Sequence, residues 1–385
     1  MKSIAGVLPF VALIAAAVLP GACNRLGSGD SHQIGHLVPQ SGPDAAEGQK
    51  LIAAIALVVD ETNHDEPNRI EQRPITVIHA NTGAGPEGFE LQATRLLTVN
   101  RVTALLGGVN SAQLAKIIAT VQAQPQAFAP ITVSPCGGLG PTPNKLVFCV
   151  GLAPGERGTY LARGGVEHAK VTEVVTITDT RDAVFAAIRG GFEAEFRHAD
   201  RKLGAALSLA KPEEIPELAK KVASASPKAI LFCGRATDLL KLRSELNSAK
   251  FGDDVPWLFG GEEEEGVFLK DPARGGPIIY ASAFTTEDKA ESMQKFVTDF
   301  RTRASSLPDA DAALSADAAR VLFAGARNAK KFLAKALGPE LAKLEMDLPT
   351  GKFWFKDGEP RRTAYVLRIE GDTPRLLARY EPKQK

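Results

Sequence analysis

Six histidines and four cysteines are the first places to look for reactive or metal-binding chemistry. His32, His36, His64, His79, His168 and His198 never stand four apart on a helix, nor at zinc spacing from a cysteine. His64-Asp65-Glu66 is the densest ligand-type cluster. Beside Pro67 in a charged stretch, it reads as a solvated loop. Glu262–Glu265 could collect calcium, but a run of like charges repels itself and no EF-hand spacing surrounds it. No metal site is expected. There is no G-x-S-x-G nucleophile elbow. Gly42 and Gly48 are one residue too far apart for a phosphate loop, and Gln49 separates Gly48 from Lys50. Gly138-Leu-Gly140-Pro lacks the third glycine of a dinucleotide loop. No cofactor is expected. Asp179, Asp182 and Glu262 leave a hydrolase as a remote alternative, without a nucleophile–base motif to support it.

One serine stands out for binding rather than catalysis. Ser111 directly precedes the apolar helical stretch 112–121. A hydroxyl there can cap the helix or, with the free N–H groups of the first turn and the helix dipole, hold an anion. Both readings stay open at this point.

The chain that must position such a site has 385 residues, 44% hydrophobic and 24% charged, with a net charge of +1. That composition excludes a disordered chain. Thirty-five glycines without a three-residue period exclude collagen. Near-neutral charge gives no basic field for nucleic acid. The length fits two domains of roughly 150–180 residues, which bury about 70% of the unfolded chain's surface without staples.

The N-terminus addresses a compartment. Lys2, an apolar run from Ile4 to Leu19 and then Pro20-Gly21-Ala22-Cys23 form a signal-peptide pattern. The run is marginal for spanning a hydrocarbon core of ~30 Å. The small residues before Cys23 resemble a bacterial lipobox. The resemblance implies residues 1–22 as signal peptide, Cys23 as a lipidated first residue, and residues 23–31 as a tether. The alternative is cleavage after Ala22 and a soluble periplasmic product.

From residue 32 onward, strands and helices alternate. Ile34–Val38, Ile75–His79, Val102–Leu106 and Ile131–Val133 read as strands, with helical faces over 46–59, 86–99 and 111–123. Val171–Ile177, Leu203–Leu209, Ala229–Cys233, Trp257–Phe259 and Ile278–Ala283 continue the strands, with helices over 182–197, 213–224 and 236–249. Two βαβ series in one chain predict an α/β fold of two doubly wound parallel-sheet lobes. Sites in such folds lie in the loops beyond the carboxyl ends of the strands.

Several of those loops, in order, resemble type I periplasmic solute-binding proteins, the Leu/Ile/Val-binding group of ABC importers. The segments are Ile34-Gly-His-Leu-Val-Pro-Gln-Ser41-Gly-Pro43, Leu105-Leu-Gly-Gly-Val-Asn110-Ser111, Ile131-Thr-Val-Ser134-Pro-Cys136, Phe259-Gly-Gly-Glu262, Ser315-Ala-Asp-Ala-Ala319 and Gly351-Lys-Phe-Trp-Phe-Lys-Asp-Gly358. The resemblance implies two lobes joined by a three-crossover hinge, with Pro154-Gly155 and Phe284–Thr286 as crossovers. By its motifs, lobe 1 takes 32–154 and 285–349, and lobe 2 takes 155–284 and 350–385. It implies a small polar solute, an amino acid or related compound, held by Ser41, Asn110, Ser111, Ser134, Cys136, Gly137, Gly138 and Glu262. A carboxylate would sit on Ser111 and the 136–138 loop, and an amine on Glu262. It also implies a membrane permease as partner. An envelope sensor or regulator of the same fold is the alternative. Four positions depart from the pattern. Gly138 stands in place of a threonine, Glu47 in place of an aromatic, Asp179-Thr-Arg-Asp-Ala-Val lacks the usual Tyr and Gly, and Ala316 replaces a tyrosine. The resemblance therefore does not carry an aliphatic amino acid across. Cys136 and Cys149, with 12 residues between them, could close a disulfide loop in an oxidising compartment or remain two thiols on neighbouring strands.

Overall fold

The computed structural model describes residues 31–383, apart from 67–68, 84–85, 126–128, 141–144, 249–250, 252–254, 272–275 and 372. The signal peptide, Cys23 and the tether up to residue 30 lie outside the described residues.

Lobe 1 opens with β1 (His32–Val38), α1 (Ala45–His64), β2 (Ile75–Asn81), α2 (Pro86–Thr98), β3 (Ala104–Leu106), α3 (Ser111–Gln122), β4 (Ile131–Ser134) and β5 (Val147–Cys149). The five strands form one parallel sheet in the order β2-β1-β3-β4-β5. In α1 the buried residues Leu51, Ala54, Ile55 and Val58 recur at helical spacing, which lays one stripe on the sheet. The opposite face packs Leu37, Leu105, Phe89, Leu96 and Ile117.

The chain then passes to lobe 2. It runs through α4 (Pro154–Glu167), β6 (Glu173–Asp179), α5 (Ala183–His198), β7 (Lys202–Leu209), α6 (Ile215–Ala225), β8 (Ile230–Cys233), α7 (Ala236–Ser248), β9 (Trp257–Phe259), α8 (Glu265–Lys270) and β10 (Ile278–Ser282). It returns to lobe 1 for α9 (Glu291–Ala304), α10 (Ala310–Ala329) and α11 (Ala334–Leu341), which pack on α1 and β4. It ends with β11 (Glu345–Leu348), β12 (Gly351–Lys356), β13 (Glu359–Arg362), β14 (Ala364–Ile369) and β15 (Pro374–Tyr380).

The second sheet has seven strands, β15-β14-β10-β9-β8-β6-β7, all running one way except β14, which is antiparallel to both β10 and β15. β8 is buried along its whole length, as a strand covered on both faces should be. β7, at the edge, is largely exposed. The remaining strands β11, β12 and β13 make a small antiparallel sheet, so the Gly351–Gly358 segment is a hairpin strand and turn.

The structure differs from the sequence reading at several elements. Pro154, read as part of a crossover, is the first residue of α4, where its missing N–H costs nothing. β5 was not read as a strand.

Candidate functional site

Each sheet reverses its strand order once. In lobe 1 the order reverses between β1 and β3, and in lobe 2 between β6 and β8. Open α/β sheets place their ligand crevice at that point. Here the loops after β3, β6 and β9 meet one another across the gap between the lobes.

Asn110 and Ser111 begin α3. Asn110, not Ser111, caps the helix: its side chain accepts a hydrogen bond from the Gln113 N–H at 3.0 Å. Ser111 is the first helical residue, so its own N–H has no helical acceptor. That N–H donates to Glu262 Oε1 at 2.8 Å, across the lobes. Ser111 Oγ lies 3.0 Å from Glu262 Oε2 and 2.8 Å from Asp182 Oδ2. The position that the resemblance assigns to a ligand carboxylate is therefore filled by a carboxylate of the chain itself.

A hydroxyl has one hydrogen, and Ser111 Oγ faces two carboxylates. The second contact needs a proton on one of them. Burial raises the Glu262 carboxyl above its usual range, against the lowering effect of the Ser111 hydrogen bonds. Its neighbour Glu264 is pushed up to about 7, by burial first; its hydrogen bond from the Ala236 N–H lowers it, and Glu262 raises it further. The sign follows. A carboxyl raised in the folded chain holds a proton that the unfolded chain has lost, so stability falls as pH rises from about 4.5 to about 7. In Glu264→Gln that part of the slope should vanish, and urea unfolding at pH 4.5, 5.5, 6.5 and 7.5 reads it as a difference from wild type.

Cys136 Sγ is 3.8 Å from Glu262 Oε1 and accepts from the Gly138 N–H at 3.4 Å. Burial, then Cys149 and Glu262, push its thiol well up. Cys136 and Cys149 are free buried thiols, so the disulfide that the sequence allowed is not formed. The reason is directional. Cys149 lies in β5 opposite Ser134, while Cys136 is two residues past that pair, in a turn that aims its sulfur at Glu262. Gly138 completes the turn at φ +100, a conformation that favours glycine.

Glu263 points the other way. It pairs with Arg157 at 2.6 Å, both nearly buried, and accepts from Ser282 Oγ at 2.8 Å. Arg157 also donates to the Ala281 carbonyl at 2.6 Å.

Among the described residues, two spaces lie at these loops. One, of about 20 Å³, is lined by Cys136, Gly137, Gly138, Arg157, Glu262 and Leu314 among others, and has room for about one water. The second, of about 160 Å³, is lined by Asn110, Ser111, Phe185, Arg235, Glu262, Glu264 and Asp311 among others. A space of ~150 Å³ can hold a benzene-sized molecule.

The structure thus brings Asn110, Ser111, Cys136, Gly137, Gly138 and Glu262 to these two spaces. Ser134 is elsewhere: fully buried, it donates to the Gly108 carbonyl at 2.6 Å. Ser41 bonds Asn81 at 3.0 Å on the exposed rim. Asp179 is held by Arg181, which also bonds Asp238, so it is not aligned with Asp182 and Glu262 as a catalytic set. Glu47, at the position of a covering aromatic, bonds Lys270 at 3.2 Å across the mouth of the gap. Sequence reasoning did not select Arg157, Glu263 or Asp311 as site residues. Arg157 and Glu263 bond to each other across 106 residues, so no local spacing marks them.

A third group holds the crossovers together. Arg362 is almost fully buried and donates to the Val150 carbonyl, to the Ala283 carbonyl at 3.4 Å, to Thr350 Oγ1 at 2.6 Å and to Asp317 Oδ2 at 3.1 Å. One guanidinium thus bonds all three segments that pass between the lobes.

A family profile described as "Periplasmic binding protein" matches residues 31–374. No match to a curated protein reaches significance. A leucine-binding protein of Thermotoga maritima is similar at TM-score 0.77 and 16% identity, over 91% of this chain and 99% of that one. A Leu-, Ile-, Val-, Thr- and Ala-binding protein of Brucella ovis, in closed conformation, gives 0.78 and 13%, over 91% and 95%. A solute-binding protein of an R. palustris ABC transporter, in complex with benzoate, gives 0.70 and 20%, over 91% and 97%. At these identities the structures speak for the fold, and the profile speaks for the family. The chain belongs to the periplasmic binding protein family, with the two-lobed type I fold of the Leu/Ile/Val-binding proteins.

Proposed function

We propose that this is an extracytoplasmic solute-binding protein that captures a small polar ligand between its lobes and presents the closed form to an ABC-type permease. The carrying observation is the meeting of Ser111, the 136–138 turn and Glu262 at one interlobe gap. The lobes of this reading are 32–154 with 285–349, and 155–284 with 350–385. The chain works from the periplasm, held to a membrane by lipid on Cys23. Among the described residues, no helix is long and apolar enough to cross a membrane. Nothing here calls for catalysis, since binding and closure need only differential affinity for the closed state.

A thermal-shift screen of amino acids, amides, sugars and aromatic acids tests the reading. At least one class should raise the melting temperature. Ser111→Ala should then weaken the hit by about 1–3 kcal/mol in calorimetry, because Ser111 Oγ holds Glu262 and Asp182 at the wall of the larger space and its loss leaves them without that partner. A full panel without any shift would count against solute capture. An equal affinity in Ser111→Ala would move the site elsewhere.

A further inference from the structure

We propose that Glu262 determines specificity by exclusion: its carboxylate occupies the Ser111 seat and bars solutes that would bind there through a carboxylate of their own. This inference deepens the solute-binding reading and rests on it. The fit of Glu262 to the seat is two-pronged. Oε1 takes the Ser111 N–H at 2.8 Å and Oε2 meets Ser111 Oγ at 3.0 Å, the same two groups that an incoming carboxylate would use. A helix start with an uncapped N–H is an anion seat, and this one is already taken from the facing lobe.

Three further observations support the exclusion. Asp182 Oδ2 stands 2.8 Å from the same hydroxyl, so any second anion at the seat would meet a second acidic side chain beside Glu262. Arg157, a cation that lines the smaller space, is committed to Glu263 at 2.6 Å and to a backbone carbonyl, while Arg235 lines the larger space. The space that stays open, about 160 Å³, is lined by Ser111, Glu262, Glu264 and Asp311 with the seat already occupied, so it can take a solute without emptying the seat. The bridge also ties lobe 1 to lobe 2 directly, which makes a closed form available to the unloaded protein.

The test uses the purified full chain as wild type, Glu262→Ala, Glu262→Gln and the double variant Glu262→Ala/Ser111→Ala. Benzoate, leucine and acetate are titrated calorimetrically, beside benzamide, benzylamine and acetamide, which carry no carboxylate. Glu262→Ala should bind at least one carboxylate tenfold or more tighter than wild type. The double variant should lose that gain. Glu262→Gln, whose amide can keep both contacts to Ser111, should stay closed to carboxylates. Glu262→Ser, equally short and polar, is measured alongside and gives the same reading should the alanine variant not fold. Carboxylate affinities in wild type equal to those of Glu262→Ala would overturn the exclusion. So would a protein that binds a carboxylate-free solute while neither short variant gains any carboxylate; in both cases solute capture itself would stand. Failure of wild type and variants alike to bind any of the six compounds would overturn the exclusion, while solute capture itself is decided by the wider thermal-shift screen.

Discussion

Arg362→Leu should cost about 3–5 kcal/mol in urea unfolding, the largest loss expected from any single change discussed for this chain. The reason is what it leaves behind. Asp317 is fully buried, and its Oδ2 takes hydrogen bonds from Arg362 at 3.1 Å and from Thr350 Oγ1 at 2.5 Å. Without the guanidinium a carboxylate remains in the interior with one hydroxyl to hold it. Removal of both charges together, in Arg362→Leu/Asp317→Leu, should cost less than Arg362→Leu alone, because the stranded charge goes as well. A double variant as damaged as the single would show that the loss comes from packing. The residue also matters for function. Its contacts to the Val150 and Ala283 carbonyls and to Thr350 span the three crossovers, so the surviving fraction of Arg362→Leu should show a looser relation between the lobes.

Gly158→Val should cost about 3 kcal/mol, by a different route. Helices α4 and α5 approach through glycine. A Cβ on Gly158 would lie 1.9 Å from the Ile188 carbonyl oxygen, and one on Gly191 would lie 2.0 Å from that of Gly155. Both obstacles are backbone, which cannot swing aside, so the helices must part. Asp182 caps α5 through the Val184 N–H at 3.0 Å and reaches Ser111 from there. A displaced α5 therefore carries Asp182 away from the gap. The unfolding midpoint of Gly158→Val should fall well below wild type; a midpoint within error of wild type would mean that the two helices separate freely.

These glycines also explain a gap in the sequence reading. α4 buries Gly158, Gly164 and Gly165 beside Arg157, Tyr160 and Leu161. Its inward face is made largely of small residues and one arginine, so no apolar stripe of period 3.6 announces it. Helix α1 has such a stripe and was legible. The strands were legible where they are buried on both faces, as in Ile230–Cys233, and Trp257–Phe259 was placed to the residue.

The candidate site divides in the same manner. Ser111 and Glu262 could be singled out because each sits in a strand-end loop with a motif around it. That they bond to each other could not be read, since 151 residues separate them and only the closed lobes join them. Arg157 reaches Glu263 over 106 residues and Arg362 reaches Val150 over 212. Such pairs are fixed by tertiary packing and leave no trace in local spacing. Ser134 carries the opposite lesson. Its motif was legible, but a serine at a strand end can spend its hydroxyl on a carbonyl, here Gly108, as readily as on a solute.

Hydrogen–deuterium exchange of the purified chain, with and without the strongest hit of the solute screen, addresses the central claim most directly. Capture between the lobes predicts that protection rises together in 108–113, 135–138 and 260–264, three segments from two lobes that line the gap. Protection confined to one lobe, or located away from all three segments, would contradict it.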